Sequence, residues 1–192
     1  MQGEAVWRSV YFAFSSCFLV ALSALSWRFQ HCWIRFMSIF RHLRFGPLDR
    51  QLDTKGRISL PVDWRPPAEE SFYLVKVKVF GVPGLRALTQ GAFAKKLEDI
   101  EGLPDSTPRL RDQAKNMLFG ATVEGNVSAQ GKLTIPKALA EAHGMTLPGT
   151  VTLIGRGDSF EIFTPENATT LETAEAKERE ENSMINDVLN LS

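Results

Sequence analysis

The chain has 192 residues, of which 44% are hydrophobic and 23% are charged, and its formal net charge is zero. This composition suits one ordinary domain or two small ones, and it gives no overall field that would attract nucleic acid. Two cysteines near the N-terminus and three scattered histidines exclude a disulfide framework and a thiolate zinc site. We expect a reducing compartment, no metal and no cofactor.

Charge is distributed unevenly along the chain. Residues 1–120 hold 17 basic and 11 acidic side chains, whereas residues 121–192 hold 5 and 11. This asymmetry favours a basic working face combined with an acidic tail.

The N-terminal segment, residues 1–43, differs from the rest of the chain. Residues 9–27 carry no charge, and this stretch is close to the ~20 apolar residues that a membrane-spanning helix needs. We interpret residues 1–43 as an extension without function, or as lying upstream of the true start, for which Met37 is a candidate. A membrane anchor and a cleaved signal peptide remain the alternatives.

The central feature of the sequence is an internal repeat. Residues 48–61 align with residues 123–136, so that Gly56 matches Gly131, Arg57 matches Lys132 and Pro61 matches Pro136. Apolar residues alternate with polar ones on both sides of each glycine, which predicts a β-hairpin with a basic residue just past its tip. The two glycines are predicted to form the turns, because glycine adopts a positive φ at little cost.

The elements that follow also repeat. Further strands are predicted over residues 72–79, 85–89, 151–155 and 160–164, and helices over 91–101, 109–118, 137–143 and 165–181. The expected domains are residues 46–92 and 121–166, joined by a helical linker over 93–120 and followed by an acidic helical tail over 167–192. The fold class is α+β and mainly β, with the two halves intertwined, because such short strands cannot bury both faces alone.

These motifs resemble the MraZ family of bacterial transcriptional regulators, whose halves are each of the SpoVT/AbrB type. The resemblance covers residues 45–177 and is carried by residues 53–61, 118–121, 131–136 and 143–144. It implies a duplicated swapped-hairpin AbrB-type β-barrel with short flanking helices, assembled into a ring homo-oligomer. It also implies a cytoplasmic, nucleoid-associated protein that binds spaced promoter repeats in double-stranded DNA and regulates the division and cell-wall gene cluster.

The resemblance points to the repeated turns as the DNA-binding sites. The candidate DNA-binding residues are Arg57, Lys55, Asp53, Arg50 and Lys132, and Arg41 and Arg44 extend the same basic stretch. Arg57 could instead only brace the turn by pairing with Asp53, and Lys55 could be a solvated turn residue.

The second copy departs from the family pattern. Ser128 stands where an aspartate is expected, and Lys132 where an arginine is expected. Lysine keeps the charge but lacks the planar fork of arginine, so we expect the first half to read DNA more specifically.

No catalytic motif stands out in the sequence, and we expect no enzymatic activity. The alternatives to a DNA-binding regulator are a ring-forming protein-interaction scaffold, an antitoxin-like module without specific DNA readout, and a regulator tethered to the membrane by residues 9–27. Of these, binding to a membrane is the one we least expect.

Overall fold

The computed structural model describes residues 43–66, 71–104 and 108–182. The expectations for residues 1–42 and for the end of the acidic tail lie outside that part of the chain. Within the described residues the strands are β1 (Pro47–Leu52), β2 (Arg57–Ser59), β3 (Phe72–Val79), β4 (Val82–Leu88), β5 (Thr122–Gly125), β6 (Lys132–Thr134), β7 (Gly149–Gly155) and β8 (Ser159–Phe163). The helices are α1 (Gln90–Glu101), α2 (Pro108–Ala121), α3 (Lys137–Ala142) and α4 (Pro165–Glu181), and a single 3₁₀ turn spans Val62–Trp64.

The strands form one antiparallel sheet in which the two halves of the chain alternate. Their order is β5-β3-β4-β8-β7-β1-β2-β6, and a bridge between Val127 and Leu133 brings the two ends of the sheet together. The result is a nearly closed barrel, which confirms the α+β, mainly β class. The halves meet at the β5–β3, β4–β8, β7–β1 and β2–β6 pairs, so the expected intertwining of the two halves is confirmed.

The predicted hairpin turns are present in both copies, but little of each strand pairs within its own copy. β1 and β2 share only the pair Leu52–Ile58, whereas β1 pairs along its whole length with β7 and β2 pairs with β6. β5 likewise pairs with β3 of the first half. The first turn therefore folds the chain back on itself for one residue pair, after which β1 and β2 separate and each pairs with a strand of the other half.

The internal repeat appears in the structure as a pseudo-twofold axis. Ile58 pairs with its own equivalent Leu133, and Arg86 pairs with its own equivalent Glu161. The two pairs lie half-way around the barrel from each other in the strand order, so the axis passes through the β2–β6 wall and the β4–β8 wall.

At the β4–β8 wall the two equivalent residues carry opposite charge. The Arg86 Nη2 atom lies 2.5 Å from the Glu161 Oε1 atom, and the Glu161 side chain is fully buried. The second carboxylate oxygen of Glu161 accepts a hydrogen bond of 2.9 Å from Arg156 Nε. Two guanidinium groups thus compensate a carboxylate that would otherwise be costly to bury.

Arg44 is not a surface cation, which corrects the expectation that it extends the phosphate-binding stretch. Its side chain is only 1% exposed and lies 5.3 Å from the ring centre of Phe72 and 5.7 Å from that of Phe160. It donates hydrogen bonds to the backbone oxygens of Asp158 (2.7 Å) and Trp64 (3.2 Å). Burial lowers the pKa of Arg44, and the nearby Asp158 charge partly offsets this. Ring faces and carbonyl groups take the place of water around this cation.

The predicted helices are confirmed, and two of them begin in the same way. Thr89 and Thr164 occupy equivalent positions of the repeat and accept hydrogen bonds from the backbone of Ala92 (3.2 Å) and Asn167 (3.3 Å) at the starts of α1 and α4. The linker helix α2 is longer than predicted, since it continues to Ala121. Helix α4 packs on β4, β7 and β8, which is the wall opposite β2–β6, and buries Leu171 there.

The two turn glycines predict a difference in stability between two alanine variants. Gly56 and Gly131 have φ of +73° and +76°, a region that costs other residues about 1–2 kcal/mol. A methyl group at position 56 would overlap the backbone oxygen of Ile135, whereas at position 131 it would overlap only the Arg65 side chain. We expect Gly56→Ala to lower the free energy of unfolding by about 2–4 kcal/mol and Gly131→Ala by about 1–2 kcal/mol. Denaturant unfolding measures both, and equal losses would contradict the geometry.

Candidate nucleic-acid interface

The first turn, residues 53–57, is held by the Asp53 carboxylate. Its Oδ1 atom accepts hydrogen bonds from the backbone of Lys55 (2.8 Å) and of Arg57 (2.9 Å). The Gly56 backbone donates to the Asp53 backbone oxygen at 2.9 Å, which closes a β-turn. The side chain at the turn start thus accepts backbone hydrogen bonds, and the glycine near its end supplies the positive φ that the turn needs.

The second turn, residues 128–132, has the same backbone geometry with a weaker cap. Gly131 donates to the Ser128 backbone oxygen at 2.8 Å, as Gly56 does to that of Asp53. The Ser128 hydroxyl accepts from the Lys132 backbone at 3.2 Å. A hydroxyl replaces the carboxylate, so the second turn has no negative charge to hold its basic side chain.

The two turns are fixed to each other by reciprocal hydrogen bonds between the halves. The Ile135 backbone donates to the Gly56 oxygen at 2.8 Å, and the Leu60 backbone donates to the Gly131 oxygen at 2.9 Å. Each turn is therefore anchored by the strand that follows the other turn.

The basic residues of the two turns lie on one face of the β2–β6 ribbon. Ile58 and Leu133 pair and point into the core, so their neighbours Arg57 and Lys132 point outwards. Arg57 pairs with Thr134, which places Lys132 two positions away on the facing strand. Diagonal neighbours of this kind have Cα atoms about 7–8 Å apart. The structure thus brings together two cations that belong to different halves of the sequence.

Arg57 forms an ion pair with Asp53, as one interpretation of the sequence expected. The Asp53 Oδ2 atom lies 2.7 Å from both Nε and Nη2 of Arg57. The side chains remain 38% and 34% exposed, so the guanidinium is oriented but still accessible. Hydrogen bonds from the Arg57 side chain, together with those from the backbone, lower the pKa of Asp53 to about 2. The pair is compatible both with bracing of the turn and with presentation of Arg57 to a ligand.

This ion pair predicts how an Asp53→Asn variant responds to pH. The folded pKa of about 2 lies below that of an unfolded aspartate, about 3.9, so the stabilisation is complete above about pH 4 and is lost as the pH falls towards 2. We expect the variant to have a Tm lower than that of the wild-type chain by at most about 3 °C at pH 7, because exposed ion pairs contribute little. The difference should persist to pH 4 and shrink below it in thermal unfolding by circular dichroism. A difference that grows on acidification would contradict the assignment.

The other two candidate DNA-binding residues, Lys55 and Arg50, lie on different sides of the barrel wall. Lys55 is exposed at the tip of the first turn, close to Arg57 in sequence and on the solvent side. Arg50, in β1, pairs with the buried Val151 of β7 and therefore lies on the core-facing side of its strand. Its side chain donates a hydrogen bond of 2.9 Å to the Asp49 backbone oxygen. The structure therefore does not bring Arg50 to the face that carries Arg57 and Lys132.

One further cation lies at this site without any signal in the sequence. The Arg65 guanidinium lies against Gly131 and donates through Nε (3.2 Å) and Nη2 (3.1 Å) to the Leu60 backbone oxygen. Arg65 belongs to the first half of the chain and Gly131 to the second. No local pattern could have indicated this contact.

Neither a membrane span nor a metal centre is present in the part of the chain that the structure describes. None of its helices is long and apolar enough to cross a membrane. Among the same residues, no group of three or more histidine, cysteine, aspartate and glutamate side chains is arranged to hold a metal ion.

Comparison with known proteins identifies several relatives that share one name. The chain is 32% identical over 132 residues to the transcriptional regulator MraZ of Leuconostoc citreum, and equally to that of Leuconostoc mesenteroides; the match covers 68% of this chain and 88% of each relative. The transcriptional regulator MraZ of Mycoplasmopsis pulmonis is 29% identical over 119 residues, which cover 62% of this chain and 77% of that protein. No family model matches the chain.

Proposed function

The chain belongs to the MraZ family of transcriptional regulators, and from this premise we propose that it binds double-stranded DNA through the outward face of the β2–β6 ribbon and its two turns. Arg57, Lys55 and Lys132 contact the duplex, Asp53 orients Arg57, and Gly56 and Gly131 shape the turns. Arg50 lies on the core-facing side of the neighbouring strand β1 and is not part of the proposed contact.

One observation carries this proposal: two half-exposed cations from different halves, Arg57 and Lys132, share one outward face of the β2–β6 ribbon. A β-ribbon fits the major groove of B-DNA, where an arginine can bond base edges or phosphates. Reciprocal backbone bonds fix the spacing of the two turns before DNA arrives, so little ordering is needed on binding. If Arg57 only braced its turn, there would be no need for it to lie on the same face as Lys132.

One face with three cations makes few phosphate contacts, so high affinity requires several such faces to bind the same DNA together. We propose that the chain assembles into a ring homo-oligomer that displays several such faces to spaced promoter repeats. Large apolar side chains that are more than half exposed support self-association; they are Phe45, Val62, Phe80, Leu110, Met117 and Phe119. Light scattering after size-exclusion chromatography tests the assembly, and a monomer at micromolar concentration would exclude it.

The remaining parts of the proposal concern organisation and context. We propose that residues 46–92 and 121–166 act as the two half-units, with 93–120 as their linker and 167–192 as an acidic helical tail. The target is the control region of the division and cell-wall gene cluster, the location is the nucleoid in the cytoplasm, and the activity is regulatory and not enzymatic. Relatives named as transcriptional regulators support this context.

A binding assay with the full chain tests the proposal. The probes are a duplex from upstream of its own gene and a scrambled duplex of equal length, at about 50 mM and about 200 mM salt. We expect the first duplex to be preferred, and its affinity to fall as the salt concentration rises because counterions are displaced from phosphates. No binding to either duplex at low salt would refute DNA binding. A protein partner that co-purifies with the chain and competes for the Arg57 face would instead favour the interaction scaffold.

A further inference from the structure

Arg65 places a cation over the glycine of the second turn, whereas the neighbours of the first turn's glycine are the Ile135 backbone and the apolar Leu147 side chain. Its guanidinium lies so close to Gly131 that a methyl group there would displace the Arg65 side chain. The residue equivalent to Arg65 in the second copy of the repeat is Ala140, which is buried in the core. Gly56 is covered instead by the backbone oxygen of Ile135. A cation from the first half thus sits on the turn of the second half, with no symmetrical counterpart.

The donors of Arg65 are only partly used. A guanidinium has five N–H donors, and those on Nε and Nη2 that reach the Leu60 oxygen account for two of them. Within the described residues, no other acceptor lies within hydrogen-bond distance of Arg65, and its side chain is half-exposed. The contact with Leu60 positions the side chain, and Nη1 has no acceptor among the described residues.

The net positive charge around the second turn is therefore different from that around the first. The first turn carries Lys55 and Arg57, but Asp53 neutralises one of these two cations. The second turn carries Lys132, is covered by Arg65, and has no carboxylate between residues 128 and 132. The second turn therefore presents the larger uncompensated positive charge, although it lacks the aspartate and arginine of the family pattern.

We propose that Arg65 is the phosphate-binding guanidinium of the second turn, supplied by the first half of the chain. This inference rests on the proposed DNA-binding function and deepens it. Arg65 and Lys132 together clamp one phosphate group, the guanidinium through its planar fork and the lysine as a point charge. The replacement of the family's arginine by Lys132 then does not remove phosphate binding from the second turn, because Arg65 of the first half supplies the guanidinium.

The test separates a phosphate contact from a purely structural brace by comparing two substitutions. Arg65→Ala removes both the charge and the bonds to Leu60, whereas Arg65→Lys keeps the charge and loses the two-pronged bond. Apparent Kd values on the upstream duplex are measured over a series of salt concentrations, and Tm is measured for each variant. Arg109→Ala, which removes an exposed arginine from α2, is the control.

If Arg65 binds phosphate, the salt slope follows the charge at position 65. We expect Arg65→Ala to reduce the slope of log K against log salt by about 0.9 for each phosphate that is no longer neutralised, and to weaken binding about fivefold or more at low salt. Arg65→Lys and Arg109→Ala should keep the wild-type slope. If Arg65 is only a brace, Arg65→Ala will keep the wild-type slope, and both variants at this position will lose affinity in proportion to their loss of Tm.

Parallel measurements on Arg57→Ala distinguish the failure of this inference from the failure of the proposed function. A slope reduced by Arg57→Ala but not by Arg65→Ala leaves DNA binding in place and overturns the role of Arg65. Absence of binding by the wild-type chain overturns both.

Discussion

Replacing Arg44 by alanine is expected to lower the free energy of unfolding by about 3–5 kcal/mol. The side chain is fully buried against the rings of Phe72 and Phe160, so its removal leaves a cavity in the barrel core. It also leaves the buried oxygen of Trp64 without the donor that now satisfies it. Urea denaturation followed by tryptophan fluorescence measures this loss.

An Arg44→Met variant separates the two contributions. Methionine fills much of the volume but donates no hydrogen bond, so we expect a smaller loss of about 1–3 kcal/mol. DNA affinity of the folded Arg44→Met protein should equal that of the wild-type chain, because Arg44 does not reach the surface. A stable Arg44→Ala protein that binds DNA poorly would mean that Arg44 is exposed and contacts phosphate.

Replacing Arg57 by alanine is expected to weaken binding to the upstream duplex about tenfold or more. The effect should be large because the same contact is removed in every protomer of a multivalent assembly. Stability should change little, since the partner Asp53 is exposed and remains solvated. Fluorescence anisotropy with a labelled duplex measures the affinity.

Arg57→Lys is the matched control for this result. It keeps the positive charge but not the planar fork, so we expect it to retain binding to the scrambled duplex while losing preference for the upstream one. Full affinity and full preference in Arg57→Ala would show that the ion pair with Asp53 only braces the turn.

Much of the local structure could be predicted from the sequence because the chain repeats itself. Gly56 and Gly131 in register, each followed by a basic residue and a proline, mark two copies of one turn, and the structure gives both glycines a positive φ. The helix starts were also readable, since Thr89 and Thr164 lie just before the periodic segments and cap them.

Strand partners could not be predicted in the same way. The alternation of apolar residues fixes which face of a strand is buried but not which strand lies beside it. Residues 48–61 look like a hairpin in isolation, yet β1 pairs along its whole length with β7 and shares only a single pair with β2. The intertwining of the two halves was expected from the sequence, but the individual strand partners become visible only in the folded structure.

Whether an individual arginine is buried or exposed could not be predicted from the sequence either. Arg44 and Arg57 lie in the same basic stretch, but one is buried among aromatic rings while the other points to solvent. Arg65 carries no motif, and its position depends on a glycine in the other half of the chain. Clustering of cations along a chain predicts a surface patch only on average, because a cation surrounded by carbonyl groups and rings can be buried.

Site-specific photo-crosslinking tests most directly the claim that the paired turns form the DNA-binding face. A photoreactive residue is placed at Thr54 in the first turn, at its equivalent Ala129 in the second, and at Ala176 on α4, all of which are exposed. Helix α4 covers the wall opposite the β2–β6 ribbon. We predict crosslinks to the upstream duplex from positions 54 and 129 and none from position 176. Crosslinks from position 176, or none from positions 54 and 129 under conditions where the duplex is bound, would contradict the account.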